Sequence, residues 1–305
     1  MDDSSKKVEP FVPAAVITGA TQGIGKALAA EFARGGHNLL LVARDERKLA
    51  AAAGALAQAH GIEAKYVACD LSTEEGCADV EGALRRFGFY ADILVNNAGV
   101  MTAGFFQDAD PDELRHLVDL DVRAVVDLTR RFLPGMLARG RGGVLNVASV
   151  EGLMPVPYQA TYAAAKAFVL SLSRALAYET MGTRVRVSAL APGAVTTTMH
   201  AKAGAEYARY VQLFPVMDAE EVARIGYRKF MRGKKIIVPG WFNRLCIFAR
   251  RFAPDFALVP LVGWFFRVRD AEGNLQMPRL ARAPKATNGR VPIDAHSGDG
   301  PSLSA

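Results

Sequence analysis

Tyr162 and Lys166 stand four residues apart, and Ser149 precedes the tyrosine by thirteen. On a helix, such a Tyr–Lys pair shares one face, with roughly 5–6 Å between β-carbons. A phenol of ordinary pKa near 10 is ionised in only about one molecule in a thousand at neutral pH. A neighbouring ammonium favours the phenolate, and each unit of lowering is worth about 1.4 kcal/mol. Tyr162 can then donate a proton to a carbonyl being reduced, or accept one from an alcohol being oxidised. Ser149 can hydrogen-bond the substrate oxygen as charge develops there. Lys166 can also reach a nicotinamide ribose. Taken alone, the three would be a helical pair and a capping serine.

What gives them meaning lies upstream. Thr18-Gly19-Ala20-Thr21-Gln22-Gly23-Ile24-Gly25 follows a short apolar run and opens a helical one. Small residues there let the backbone turn tightly and let a pyrophosphate approach the positive helix N-terminus. The spacing is Gly-x-x-x-Gly-x-Gly rather than the commoner Gly-x-Gly-x-x-Gly. The next apolar run ends Val42-Ala43-Arg44-Asp45, with no acid directly at its end to hold the ribose 2′-hydroxyl of NAD. Arg44 can instead meet a 2′-phosphate as a charged fork, which favours NADP over NAD; Asp45 would soften that preference by pairing with Arg44. Asp70, beside Leu71, is placed to bind an adenine amino group. Asn96-Asn97-Ala98-Gly99 forms a small polar turn suited to close cofactor contact. Turn or cap roles are the plain alternatives for Asp70 and the asparagines.

These residues need a scaffold that brings them to one edge. Short apolar runs at 16–18, 39–42, 65–68, 93–95, 144–147, 185–188 and 236–238 read as buried strands. Between them lie helical stretches such as Lys26–Arg34, Glu46–Ala59 and Leu114–Leu133. That alternation predicts an α/β fold: a doubly wound parallel sheet of about seven strands, helices on both faces and ligands at the strands' carboxyl ends.

With those residues in place, the chain resembles the classical short-chain dehydrogenase/reductase family over about residues 12–240. The resemblance rests on Thr18–Gly25, Asn96–Gly99, Ser149, Tyr162–Lys166 and Pro192-Gly193-Ala194-Val195-Thr196-Thr197. It implies a Rossmann fold, Tyr162 as general acid/base, Ser149 as oxyanion partner, and Val195 and Thr197 against the nicotinamide carboxamide and diphosphate region. It also implies a homo-dimer or tetramer. One departure is informative: where the family commonly carries an Asn that completes a water-linked proton relay, this chain has Asp121. A carboxylate there can hold a water, favours a charged Lys166 and opposes that charge's effect on Tyr162.

The 305 residues are half apolar, with 22% charged residues and a net charge of +6. That balance suits a globular enzyme, and the three cysteines show neither metal-ligand spacing nor an even-numbered disulfide framework. No metal is expected. The polar start argues against secretion, so the expected location is cytoplasmic, or peripheral to the inner face of a membrane.

The expected organisation is a disordered N-terminus (1–11), a catalytic domain (12–240), a basic aromatic extension (241–270) and a disordered tail (271–305). Met154, Val156 and Tyr158, with Met199, Tyr207, Tyr210 and Phe214 in a loop, should line an apolar substrate cleft. Glu151 is expected on its solvated rim. From Arg224 to Arg251 there are nine Lys or Arg and no Asp or Glu, and Trp241, Phe242, Leu245, Ile247, Phe248 and Phe252 lie among or beside them. The run 256–266 is too short to span a bilayer, but cations beside aromatics suit contact with an anionic membrane surface through 241–268. The alternative is an extension packed over the substrate cleft or a subunit interface. Nucleic acid is not expected, since no binding module accompanies the charge.

The leading function is an NADP-dependent oxidoreductase acting on a carbonyl or secondary alcohol of a largely apolar substrate. The alternative is a non-catalytic NADP-binding sensor or scaffold that retains the fold.

Overall fold

All seven strands run parallel in a single sheet. The computed structural model describes residues 11–269, apart from 198 and 206, together with 273–276. The strands are β1 (Val12–Thr18), β2 (Asn38–Ala43), β3 (Ala64–Ala68), β4 (Phe89–Asn96), β5 (Gly142–Val147), β6 (Val185–Leu190) and β7 (Ile236–Ile237), in the order β3-β2-β1-β4-β5-β6-β7. The order reverses between β1 and β4, so a crevice opens above their carboxyl ends.

Helices α1 (Gly23–Arg34) and α2 (Glu46–His60) cover one face, and α3 (Glu74–Arg86), α5 (Ala124–Ala138) and α6 (Ala160–Glu179) the other, while α4 (Pro111–Val118) packs its Leu117 against Tyr162 and Ala165 of α6. Short α7 (Met199–Lys202) and α8 (Arg209–Leu213) precede α9 (Ala219–Met231), which returns to the α1 side. Neighbouring strand residues alternate between the two cores. Ile17 and Leu41 meet Leu28, Phe32 and Phe230, whereas Val16 and Leu40 meet Val80, Leu84 and Phe132. Burial on both faces is why these strands read as unbroken apolar runs. β3 differs from the expected buried strand: it is an edge, and its residues are mostly half-buried.

The single helix expected over Leu114–Leu133 is broken. Between α4 and α5 the chain makes a π turn at Asp119–Arg123, with Asp121 at its centre. Such bulges are rare and concentrate at functional sites.

After β7 come α10 (Trp241–Arg250) and α11 (Asp255–Phe266). α11 packs back over the body, burying Val262 and Phe266 against Val156, Ala208 and Tyr210. The Phe266 ring stacks on Tyr210 at 4.1 Å, and the Arg209 guanidinium lies 3.8 Å from the Trp264 ring centre. On α10, Trp241, Leu245, Phe248 and the following Phe252 recur at helical spacing and are all exposed. No helix among the described residues is long and apolar enough to cross a membrane. Leu275 bridges to Arg269; the expectations for residues 1–10, 270–272 and 277–305 lie outside the described residues.

Candidate active site

Ser149 follows β5 and caps a 3-10 turn, Val150–Leu153, its Oγ accepting the Glu151 backbone N–H at 3.2 Å. That turn lies hard against α6: a β-carbon on Gly152 would sit 2.5 Å from the Lys166 carbonyl carbon. The close approach brings Ser149 and Glu151 beside the first two turns of α6, which carry Tyr162 and Lys166. All four are buried and line an inner chamber of about 130 Å³. The Lys166 Nζ lies 5.5 Å from the Tyr162 ring centre, and Ser149 hydrogen-bonds the phenol.

Asp121, carried inward by the π turn, has no exposed surface. Its Oδ2 is 2.8 Å from Lys166 Nζ, and its Oδ1 accepts the Val100 backbone N–H at 2.8 Å. Lys166 also donates to the Val147 carbonyl at 3.3 Å. Burial pushes the Asp121 carboxyl up, against the pull of Lys166. The Lys166 contact on one oxygen and the Val100 N–H on the other both oppose that rise. Contrary to the lowering expected from Lys166, Tyr162 is held well above its ordinary range, first by burial and then by Glu151 and Asp121, while the Ser149 hydrogen bond opposes the rise.

Glu151 corrects the expectation of a solvated rim. Only 7% of it is exposed, and its Oε2 has no hydrogen-bond partner among the described residues. Burial pushes its carboxyl up to about 8, despite Lys166. The 3-10 turn points this side chain inward, and a turn of that kind has no sequence period to betray it.

At the cofactor end, Thr18 ties two strand ends together: the Asn97 and Ala98 N–H groups both donate to its Oγ1 at 2.9 Å. Asn97 Nδ2 donates to the Thr18 carbonyl at 2.9 Å and to the Gly19 carbonyl at 3.3 Å. Gly19 has φ +65°, and a β-carbon on it would lie 2.8 Å from Asn97 Nδ2; one on Gly25 would collide with the Gly19 carbonyl. Gly19 and Gly25 therefore admit no side chain, leaving bare backbone at those points that fits a diphosphate. Thr21, Gln22, Arg44, Asp70, Leu71, Ala98 and Gly99 line an outer cleft of about 1130 Å³ beside it. Gly23, Ile24, Asn97, Pro192, Gly193, Val195 and Thr197 line the inner chamber.

Asp45 does not pair with Arg44. It caps α2 by accepting the Lys48 N–H at 3.0 Å, and its other oxygen meets Lys48 Nζ at 2.9 Å. Asp70 Oδ1 accepts from both the Ser72 N–H at 2.9 Å and its hydroxyl at 2.8 Å, so one of its oxygens is engaged in a turn.

The expected substrate residues divide. Met199 lines both cavities and Tyr158 the outer one. Tyr158 holds φ +69°, a strained conformation for a bulky residue that costs about 1–3 kcal/mol. Tyr210 and Phe214 instead turn into the aromatic cluster with α11, and Tyr207 is exposed. The side chain of His200 lies outside the described residues. Sequence reasoning missed Gln159, which is 1% exposed and donates to the Tyr210 hydroxyl at 3.1 Å. It also missed a buried ladder under the site. Asn96 donates to Asn146 Oδ1 at 2.8 Å, and Asn146 to the Ser173 hydroxyl at 2.9 Å, fixing α6 against the sheet. Among the described residues no His/Cys/Asp/Glu group could hold a metal.

Comparison with known proteins places this geometry. A sequence model of the short chain dehydrogenase family matches residues 13–208. The very-long-chain 3-oxoacyl-CoA reductase of Anas platyrhynchos is 36% identical over 190 residues, covering 61% of this chain and 60% of that protein. The matched region thus spans about three-fifths of that relative's length. A short-chain dehydrogenase from Sphingobium yanoikuyae, solved in complex with NADPH, superposes with a TM-score of 0.70 at 33% identity, covering 79% of this chain and 94% of that one. The L-sorbose reductase of Gluconobacter frateurii, complexed with NADPH and L-sorbose, gives 0.66 at 30%, covering 75% and 95%. The chain belongs to the short-chain dehydrogenase family, whose members are oxidoreductases acting on carbonyl and alcohol groups.

Proposed function

We propose that the protein is an NADP(H)-dependent oxidoreductase that reduces a carbonyl, or oxidises the matching secondary alcohol, on a largely apolar substrate. The observation that carries this reading is the convergence of buried Ser149, Tyr162 and Lys166 on a chamber adjoining the glycine-walled cleft. NADPH, when bound, supplies the hydride for carbonyl reduction, and NADP+ accepts it in the reverse direction.

The protein's part is to bind, to orient and to move one proton. Gly19, Thr21, Gln22, Gly23, Ile24 and Gly25 hold the diphosphate, Asp70 and Leu71 the adenine, and Asn97, Ala98 and Gly99 the adjoining ribose. Pro192, Gly193, Val195 and Thr197 flank the nicotinamide end. Arg44 meets the 2′-phosphate, and support comes from Asp45 being committed to Lys48. NADPH in the complexes of two structural neighbours supports the same choice. Tyr162 protonates the substrate oxygen on reduction and deprotonates the hydroxyl on oxidation. Ser149 donates a hydrogen bond to that oxygen as charge builds, an effect of about 10²–10³-fold at comparable sites. Lys166 binds the nicotinamide ribose, and Asp121 positions the lysine.

An apolar substrate is supported by Met101 and Met199 at the chamber and by the acyl substrate in the name of the duck relative. The exposed stripe Trp241, Leu245, Phe248 and Phe252, flanked by Arg244 and Arg251, supports peripheral contact with an anionic membrane surface. Exposed Phe168, Tyr178 and Met181 support a homo-oligomer. A sensor or scaffold would need no buried, hydrogen-bonded tyrosine, and no observation favours it.

The test is NADPH oxidation by purified protein against apolar ketones and β-ketoacyl thioesters, with NADH as control. Turnover with NADPH is expected. Turnover with NADH alone would refute the cofactor assignment, and none across the panel, vesicle-presented substrates included, would refute the enzymatic one.

A further inference from the structure

We infer that Glu151 binds substrate directly, its carboxyl donating a hydrogen bond to a second oxygen placed close to the reacting carbonyl. The preferred substrates are then 1,3-dioxygenated compounds such as β-oxo esters or thioesters, rather than simple ketones. This deepens the proposed function and rests on it.

Glu151 is the second residue after Ser149, and the 3-10 turn brings both to the same chamber. A side chain 7% exposed with an unpartnered carboxyl oxygen is costly, since a buried polar group without a hydrogen bond loses roughly 1–3 kcal/mol. An apolar residue would pack there without that penalty, so the carboxyl points to a partner supplied from outside the chain.

The neighbouring groups define that partner. Lys166 offsets only part of the cost of burying Glu151, because its ammonium is committed to Asp121 at 2.8 Å and to the Val147 carbonyl. The other titratable groups facing Glu151, Tyr162 on α6 and Tyr210 on α8, are themselves held high by burial and bring no positive charge. Without an ion pair of its own, a buried carboxyl is stable as the neutral acid, in line with its rise to about 8. A neutral carboxyl carries one O–H donor. Ser149 Oγ already takes the Glu151 backbone N–H and bonds Tyr162, so the donor is free to serve a ligand in the chamber. The complement is an acceptor on an otherwise apolar molecule, close to the oxygen held by Ser149 and Tyr162. A carbonyl in a 1,3 relation to the reacting one fits this description.

The test compares kcat/KM for NADPH-dependent reduction of a β-oxo ester and of the ketone in which the ester carbonyl is replaced by methylene. The wild-type ratio is expected to be at least about tenfold in favour of the oxo ester, as a site built to hydrogen-bond its substrate rejects an analogue lacking the group. Glu151→Leu should bring the ratio close to one, and Glu151→Gln, whose amide still donates, should retain most of it. Three results would overturn the inference: a ratio unchanged in Glu151→Leu, a Gln variant that loses selectivity as the Leu variant does, or a wild-type preference for a matched amino ketone, which would mean the carboxyl binds as an anion. Turnover of neither ketone by the wild type would instead overturn the underlying reading, and this one with it.

Discussion

Replacing Asp121 by alanine leaves the Lys166 ammonium buried without its 2.8 Å partner. The pair has 6% and 0% side-chain exposure for lysine and aspartate, so water cannot step in. Breaking a buried pair in this way costs about 3–5 kcal/mol. For a domain of this size each kcal/mol lowers Tm by about 2–4 °C, which predicts a fall of roughly 6–20 °C. Lys166→Met strands the carboxylate and should cost a comparable amount. The double variant Asp121→Leu/Lys166→Met removes both charges and should be far more stable than the sum of the two losses, because an apolar replacement of a buried pair is often nearly neutral. Urea unfolding at pH 7, with unchanged m-values, measures all corners of the cycle. Losses that add within about 0.5 kcal/mol would refute the pairing. The same site has a kinetic readout. Asp121 helps hold Tyr162 above its ordinary range, and in the proposed function the phenolate is the base in alcohol oxidation. Removing that charge in Asp121→Asn should therefore move the rise of oxidation rate to lower pH; an unmoved limb would contradict the electrostatic argument.

Arg44→Ala should raise KM for NADPH by about tenfold while hardly changing that for NADH, and equal effects on both would remove Arg44 from the 2′-phosphate. The folded protein keeps Glu151 protonated to about pH 8, whereas the unfolded chain releases that proton near the ordinary 4.5. Glu151 therefore favours folding below the lower value, and its contribution is lost as pH rises toward 8. Glu151→Gln should flatten this decline, and parallel stability–pH curves for both proteins would refute it. On α10, Trp241→Ser with Phe248→Ser should abolish co-sedimentation with phosphatidylserine vesicles; persistence of binding would exclude this face as the membrane contact.

The sheet was legible because strands buried on both faces must be continuous apolar runs, as Leu39–Val42 and Val144–Val147 are. Ser149, Tyr162, Lys166 and the glycine turn were legible because their chemistry depends on spacing along the chain. The π turn was not: Leu117, Ala124 and Leu128 keep a helix-like spacing across it, so one extra residue per turn leaves little trace. Glu151 was misplaced because acids are seldom buried, and only the tertiary contact at Gly152 reveals this exception. The aromatic extension carried too little contrast to sort. α11 is apolar nearly all round, so which rings meet Tyr210 and which face outward is decided by packing on α8.

The central claim is that Tyr162 moves the proton at the reacting oxygen. The most direct test is Tyr162→Phe, followed by turnover of an apolar ketone and by fluorescence titration of NADPH. The account predicts a kcat loss of about 10²–10⁴-fold with NADPH affinity nearly unchanged. A variant that turns over at the wild-type rate would contradict it.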